Sequence, residues 1–316
     1  MPTRQILLST RPEYRVPKMR WTAEEARKSI DDYKPETIEA LQKWLQENPH
    51  YPPTSEESLI LFAHSCYYDV EKTKACIDSC YNLKSATPEF FQKRDVDKYA
   101  EVRHILGVTD NAVFPTMTPS GYQIIFHRLS QYEPSKYVFA DGVKVLNMTM
   151  ESARCLTGPA KGYFILFDMT GVKLGHLTRL NLGLLKKFFM FIQEANPVRL
   201  KGIHVINTMP IVDKIMFLIK PFMKKELHSI LHFYSSSEME KLYEVIPKEC
   251  LPSDFGGSLG KTVAELHARN TEVLKDLKDI WNDDETLVID ESKRPSKKGK
   301  KAREDAMPDI RKLDLD

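Results

Sequence analysis

Apolar positions recur at three- and four-residue intervals through the first third of the chain. Pro35 suits a first helical position, Ile38, Leu41, Trp44 and Leu45 follow at helical spacing, and Asn48-Pro49 ends the run. Thr54 and Glu57 form a capping-box pattern ahead of Leu59, Ile60, Leu61 and Phe62. Asp69 is placed to cap another helix, with Val70, Thr73, Cys76, Ile77 and Cys80 on its stripe. From about Gly121 the period changes. Residues 123–129 read as a strand. YFILFDM at 163–169, GIHVIN at 202–207 and ILHFY at 230–234 are continuous apolar runs, the signature of strands buried on both faces. Helical patterns at 148–156, 177–195 and 211–223 lie between them. This alternation predicts an α/β fold with a mainly parallel sheet and crossover helices, preceded by a small all-helical domain. A last helix is expected at 263–281. Beyond it come an acidic cluster, the basic run KRPSKKGKKAR and few large apolar residues, a composition that reads as a disordered tail. The expected organisation is an extension at 1–30, a helical domain at 31–105, an α/β domain at 106–260, a helix at 261–282 and the charged tail at 283–316.

Composition narrows the function classes. Of 316 residues, 42% are hydrophobic and 28% charged, an ordinary globular balance. A net charge of +2 argues against nucleic acid as a partner. The five cysteines contain no C-x-x-C, which argues against a disulfide scaffold or zinc ribbon and for a reducing compartment. Cys76 and Cys80 read as small core hydrophobes, with a redox pair as the alternative. The N-terminus lacks a signal-peptide pattern, and the longest apolar run, 215–219, is far below the ~20 residues of a membrane span. A cytoplasmic protein with transient membrane association is expected. The sequon at Asn147 then carries no glycosylation.

No motif announces catalysis. GGSLGKT at 256–262 approaches a phosphate-binding loop but is one residue short, since Phe255 stands where the first glycine is needed; a turn and helix start is the competing reading. His204 and His232 sit inside apolar strands, as core histidines do. Asp168 ends a buried strand, where sites of parallel sheets often lie, but no base or nucleophile accompanies it in sequence. The informative segment is 209–225, MPIVDKIMFLIKPFMKK. On a helix, residues 211, 212, 215, 216, 218, 219, 222 and 223 share one broad apolar face, and Phe217 falls on the polar side between Asp213 and Lys214. Such a helix either faces a core or lies as a movable lid over a pocket, with an edge able to enter a bilayer.

HSCYYDVEKTKACIDSCYNL, YFILFDMTG, NPVRLKGIHVINTMPIVDKIMFLIKPFM and ILHFYSSSEMEKLYEVIPKECLPSDFGG together resemble the CRAL-TRIO lipid-binding family. The resemblance is to its retinaldehyde-binding and tocopherol-transfer branch, particularly the insect relatives, and spans roughly 38–281. It implies a sheet flooring a closed apolar pocket, with 210–225 as the gate helix. It implies a pocket lined by Val143, Leu146, Met150, Tyr163, Ile165, Phe167, Phe188, Phe191, Ile192, Leu200, Ile203, Val212, Ile215, Met216 and Ile219. Tyr163 is the candidate polar contact, because a buried hydroxyl needs a partner. Phe217 is the candidate membrane wedge. Arg199 and Lys201 match part of a basic cleft that binds phosphoinositide headgroups in tocopherol-transfer relatives. His64, Cys66, Glu226 and Ile230 depart from that cleft, and losing guanidinium partners argues against tight phosphoinositide exchange. Lys224, Lys225 and the basic run supply looser attraction to anionic membrane. The expected function is non-enzymatic binding and transfer of a retinoid, tocopherol or carotenoid-like ligand, with no catalytic residue, metal or cofactor beyond that lipid. The alternatives are a lipid-sensing module whose tail contacts a protein partner, and a phosphoinositide- or phospholipid-binding protein.

Overall fold

A computed structural model describes residues 13–295. The N-terminal part is helical: α1 (Ala23–Ser29), α2 (Pro35–Glu47), α3 (Glu56–Ser65), α4 (Val70–Ala86), α5 (Pro88–Phe91) and α6 (Ala100–Leu106). Pro35 opens α2, and the Asp69 carboxylate accepts the Lys72 amide at 3.0 Å to cap α4, as expected. The cap of α3 differs. Ser55, not Thr54, accepts the Ser58 amide at 3.1 Å, while the Thr54 hydroxyl bonds Tyr81 and the Glu57 carboxylate accepts the Ala23 amide at 3.2 Å. Cys76 and Cys80 are buried on α4 as small hydrophobes.

Five strands form one sheet in the order β1 (Thr109–Val113), β2 (Tyr122–Leu129), β3 (Gly162–Asp168), β4 (Leu200–Ile206) and β5 (Leu231–Phe233). Only β1 runs antiparallel to its neighbour. The long α7 (Phe139–Thr157) crosses from β2 to β3. The short α8 (Leu174–Leu177), α9 (Leu182–Met190) and a π-turn (Phe191–Ala195) connect β3 to β4. Between β4 and β5 lie α10 (Ile211–Ile219), a 3-10 turn (Lys220–Phe222) and α11 (Lys225–Ser229). After the sheet come α12 (Met239–Tyr243), α13 (Val263–Asp276) and α14 (Lys278–Asp284). No described helix is long and apolar enough to cross a membrane.

Register explains why the strands are apolar throughout. Ile125, Ile165, Ile203 and Leu231 pair in one row across four strands, and their neighbours Phe126, Leu166 and His204 pair in the next. Successive side chains point to opposite faces. The first row belongs to a large cluster shared with the helical domain, α7 and α9, and Phe126 and Leu166 belong to a second cluster with α12 and α13. His204 is buried and shares a 3.0 Å hydrogen bond with the Tyr234 hydroxyl. His232 is exposed because β5 is the sheet's short edge, so it stacks on His204 rather than sitting in the core.

GGSLGKT resolves as a turn and a helix start. Gly256 adopts φ +68°, and a Cβ on Gly257 would stand 2.0 Å from the Leu251 carbonyl oxygen, so the pair permits a close chain crossing. Thr262 and Glu265 then cap α13 reciprocally. The C-terminal boundary also moves. The composition places residues 283–295 in the tail, yet Leu287 and Ile289 are buried against the helical domain and the Asp290 amide bonds the His50 carbonyl at 2.9 Å. Asp284 explains the charge. Lys84 reaches it at 2.6 Å and Arg94 at 2.5 Å, and Arg94 also holds Glu151 of α7 at 2.8 Å. This ion cluster ties the helical domain to α7 and α14. Most of the basic run, with the expected partner contact there, lies outside the described residues.

Candidate lipid-binding site

The sheet face shared with α7 carries an apolar layer. Val143, Leu146 and Met150 of α7, Tyr163 and Ile165 of β3, Phe191 and Ile192 of the π-turn and Ile203 of β4 are buried in one cluster. Phe167, Phe188, Leu200 and Ile219 are half-buried against it. The structure therefore gathers most of the expected lining residues on one side of the sheet. Val212, Ile215 and Met216 are half-buried on α10 and lie outside that cluster. The Tyr163 hydroxyl accepts the Ala160 amide at 3.2 Å, so it is engaged beside its own strand.

The α10 segment covers this layer unevenly. Leu218, Ile219, Phe222 and Met223 pack against the cluster. Gln193 of the π-turn donates to the Phe222 carbonyl at 3.0 Å and accepts the Lys224 amide at 2.6 Å. Lys224 also pairs with Glu194 at 2.7 Å. The C-terminal end is thus pinned by the π-turn, a backbone irregularity often found at functional sites. The rest is loosely held. None of the residues of α10 is buried, and of its apolar residues Ile211, Val212, Ile215 and Met216 lie outside the cluster. Phe217 is 79% exposed, as its position on the polar side predicts.

The basic pair lies at the other end of β4 and is internally satisfied. Arg199 donates Nε to the His64 carbonyl and Nη2 to Asp32, both at 2.6 Å, and its guanidinium lies 4.2 Å from the Tyr67 ring centre. Lys201 donates to the Tyr67 hydroxyl at 2.8 Å. Burial, helped by Arg199, pushes the His64 imidazole down to about 4, so it is neutral at ordinary pH and adds no cation. Asp32 was not singled out in sequence because it reaches Arg199 from a loop far away along the chain. Burial opposes its charge, but Arg199 more than offsets this and lowers its pKa. Asp32→Ala is expected to strengthen sedimentation with phosphatidylinositol bisphosphate vesicles about fivefold, the worth of roughly 1 kcal/mol per freed cation near a membrane. Unchanged sedimentation would show that Asp32 does not restrain the pair.

A separate polar cleft of about 470 Å³ opens at the carboxyl ends of the strands, lined by residues that include Arg128, Asp168, Asn207, Tyr243 and Asp254. Asp168 Oδ1 accepts from the Thr170 amide and hydroxyl and from Asn207 Nδ2, at 2.6 to 2.9 Å. Arg128 pairs with Asp110 at 2.7 Å and approaches Asp254 at 3.7 Å. Among the described residues the lining contains no histidine, cysteine or serine. Asp168 serves as a turn anchor that holds the chain at the strand ends, including Asn207 with its φ of +53°.

The arrangement is thus a helical domain beside an α/β sheet, with the amphipathic α10 over part of the sheet's apolar face. Residues 109–257 match a CRAL/TRIO domain, and residues 30–100 match a Pinta-like UBA domain. The chain is 24% identical over 227 residues to the human protein described as alpha-tocopherol transfer protein-like, covering 71% of this chain and 65% of that one. It is 23% identical over 184 residues to human clavesin-2, covering 57% of this chain and 54% of the other. Among solved structures, that of Sfh5 superposes with a TM-score of 0.47 at 13% identity, covering 76% of this chain and 79% of that one.

Proposed function

We propose that this protein binds a small lipophilic molecule in the apolar layer beneath α10 and transfers it between membranes without chemical change. The observation that carries this reading is the state of α10. An amphipathic helix in a finished core buries its apolar stripe, whereas this one buries none of its residues. An apolar cargo beneath it, or a bilayer beside it, supplies the missing contact. Retinoids, tocopherols and carotenoid-like molecules have the right character, and the tocopherol-transfer-like relative supports that class. Burying on the order of 400 Å² of ligand surface is worth roughly 10 kcal/mol relative to water, but most of this cancels against a bilayer that is equally apolar. Exchange is then nearly isoenergetic, and opening the lid governs its rate. The pinned end at Gln193 acts as the hinge, and the half bearing Ile211, Val212 and Ile215 swings.

Purified full-length chain would be incubated with phosphatidylcholine vesicles containing retinol, retinaldehyde, α-tocopherol or β-carotene, separated by gel filtration and weighed by native mass spectrometry. One lipid per chain is the expected result. Protein that returns without lipid from every vesicle overturns the proposal.

A further inference from the structure

Asn147 is 1% exposed, yet neither its amide nitrogen nor its amide oxygen has a hydrogen-bond partner among the described residues. Other buried polar side chains of the same helix are paired. Lys144 approaches Asp141, Thr149 bonds the Val145 carbonyl, Glu151 holds Arg94, and Arg154 donates to Asn196. A buried amide with both ends unpaired carries the full desolvation penalty, and such a group in a folded protein calls for a partner. At 100° per residue, Asn147 falls between Val143 and Ala140 in projection, on an arc that also carries Met150, Glu151 and Arg154. The three apolar residues mark the side left for an unmet partner, since Glu151 and Arg154 are already paired. These three belong to or pack against the apolar cluster on the sheet face beneath α10. Val145 and Met148, in a different cluster, occupy the opposite arc.

We infer that Asn147 is the polar anchor of the cargo, and that the cargo is a lipid alcohol or phenol. The inference rests on the proposed carrier function and names its ligand class. A hydroxyl is both acceptor and donor, so one group accepts from Nδ2 and donates to Oδ1. An aldehyde or ether oxygen satisfies only Nδ2, and a hydrocarbon satisfies neither. The preference therefore comes from the penalty of leaving Oδ1 unpaired. Tyr163, the more conspicuous polar group of the layer, is already engaged by Ala160.

The test compares two pairs of lipids on the full-length chain: all-trans-retinol with its methyl ether, and α-tocopherol with its methyl ether. Wild-type protein should bind at least one alcohol about tenfold or more tightly than its ether. Asn147→Leu should abolish that preference by weakening the alcohol. Asn147→Leu should also raise the melting temperature of the lipid-free chain, since it removes an unpaired amide. A purely structural asparagine would give a lower melting temperature on replacement, and that result overturns the inference. Equal binding of alcohol and ether by wild type overturns it too and needs no variant. Uptake without discrimination leaves the carrier function standing, whereas failure to take up any of these lipids, retinaldehyde or β-carotene overturns both.

Discussion

Asp284→Ala should destabilise the folded chain by about 3–5 kcal/mol, because it leaves two cations buried without their shared partner. Arg94 is fully buried, and Lys84 and Asp284 are largely so. Glu151 and Glu285 remain beside Arg94, but among the described residues Lys84 has no other carboxylate partner within 4 Å. The loss would appear as a lower urea midpoint with an unchanged slope. A drop under about 1 kcal/mol, the value of an exposed pair, would show that water reaches the cluster. The same carboxylate gives the protein an acid limit. Burial opposes its charge, but Lys84 and Arg94 more than offset this and hold the group down to about 2. A carboxyl depressed in the folded state contributes stability above its unfolded value near 4 and loses it as pH falls from there toward 2. Asp284→Asn should remove that dependence in the same window. An unaltered acid-unfolding curve would reassign it to other carboxylates.

How far the sequence foretold this depends on what each element rests on. The strand YFILFDM was legible because both of its faces are buried, which forces an unbroken apolar run. The strand at Thr109–Val113 escaped notice because its interior is polar. Asn111 bonds Thr109 and His127 at 2.8 Å each, pairings that no periodicity reveals. The apolar pattern marks the cross-over helix only from Met148, because charged and polar residues interrupt its first turns. Lys144 there is buried beside Asp141, 3.7 Å away. The site divides in the same way. The lining residues of α7 and β3 are implied by the family resemblance, and they fall in the apolar cluster or against it. The Arg199–Asp32 pair is not implied, since it depends on a tertiary contact, and Asn147 reads only as an idle sequon.

Exposure of Phe217 leads to the largest expected kinetic effect. A phenyl ring 79% exposed on a helix with no buried residue has no role in folding stability. Transferring it into a bilayer is worth about 1.5–3 kcal/mol. If the lid opens at the membrane surface, that energy lowers the opening barrier, and Phe217→Glu forfeits it and adds the cost of a carboxylate at the interface. Transfer of a fluorescent retinoid or tocopherol from donor to acceptor vesicles should slow by roughly tenfold or more, because 1.4 kcal/mol is one decade in rate. Equilibrium occupancy should be unchanged, since the side chain is exposed and lies outside the apolar layer. Ile215→Asp makes the contrasting case. It places a charge on the inward face of α10 and should weaken retention itself. Equal transfer rates for Phe217→Glu and wild type would mean that α10 opens in water, and the exposed ring would then have no part in delivery.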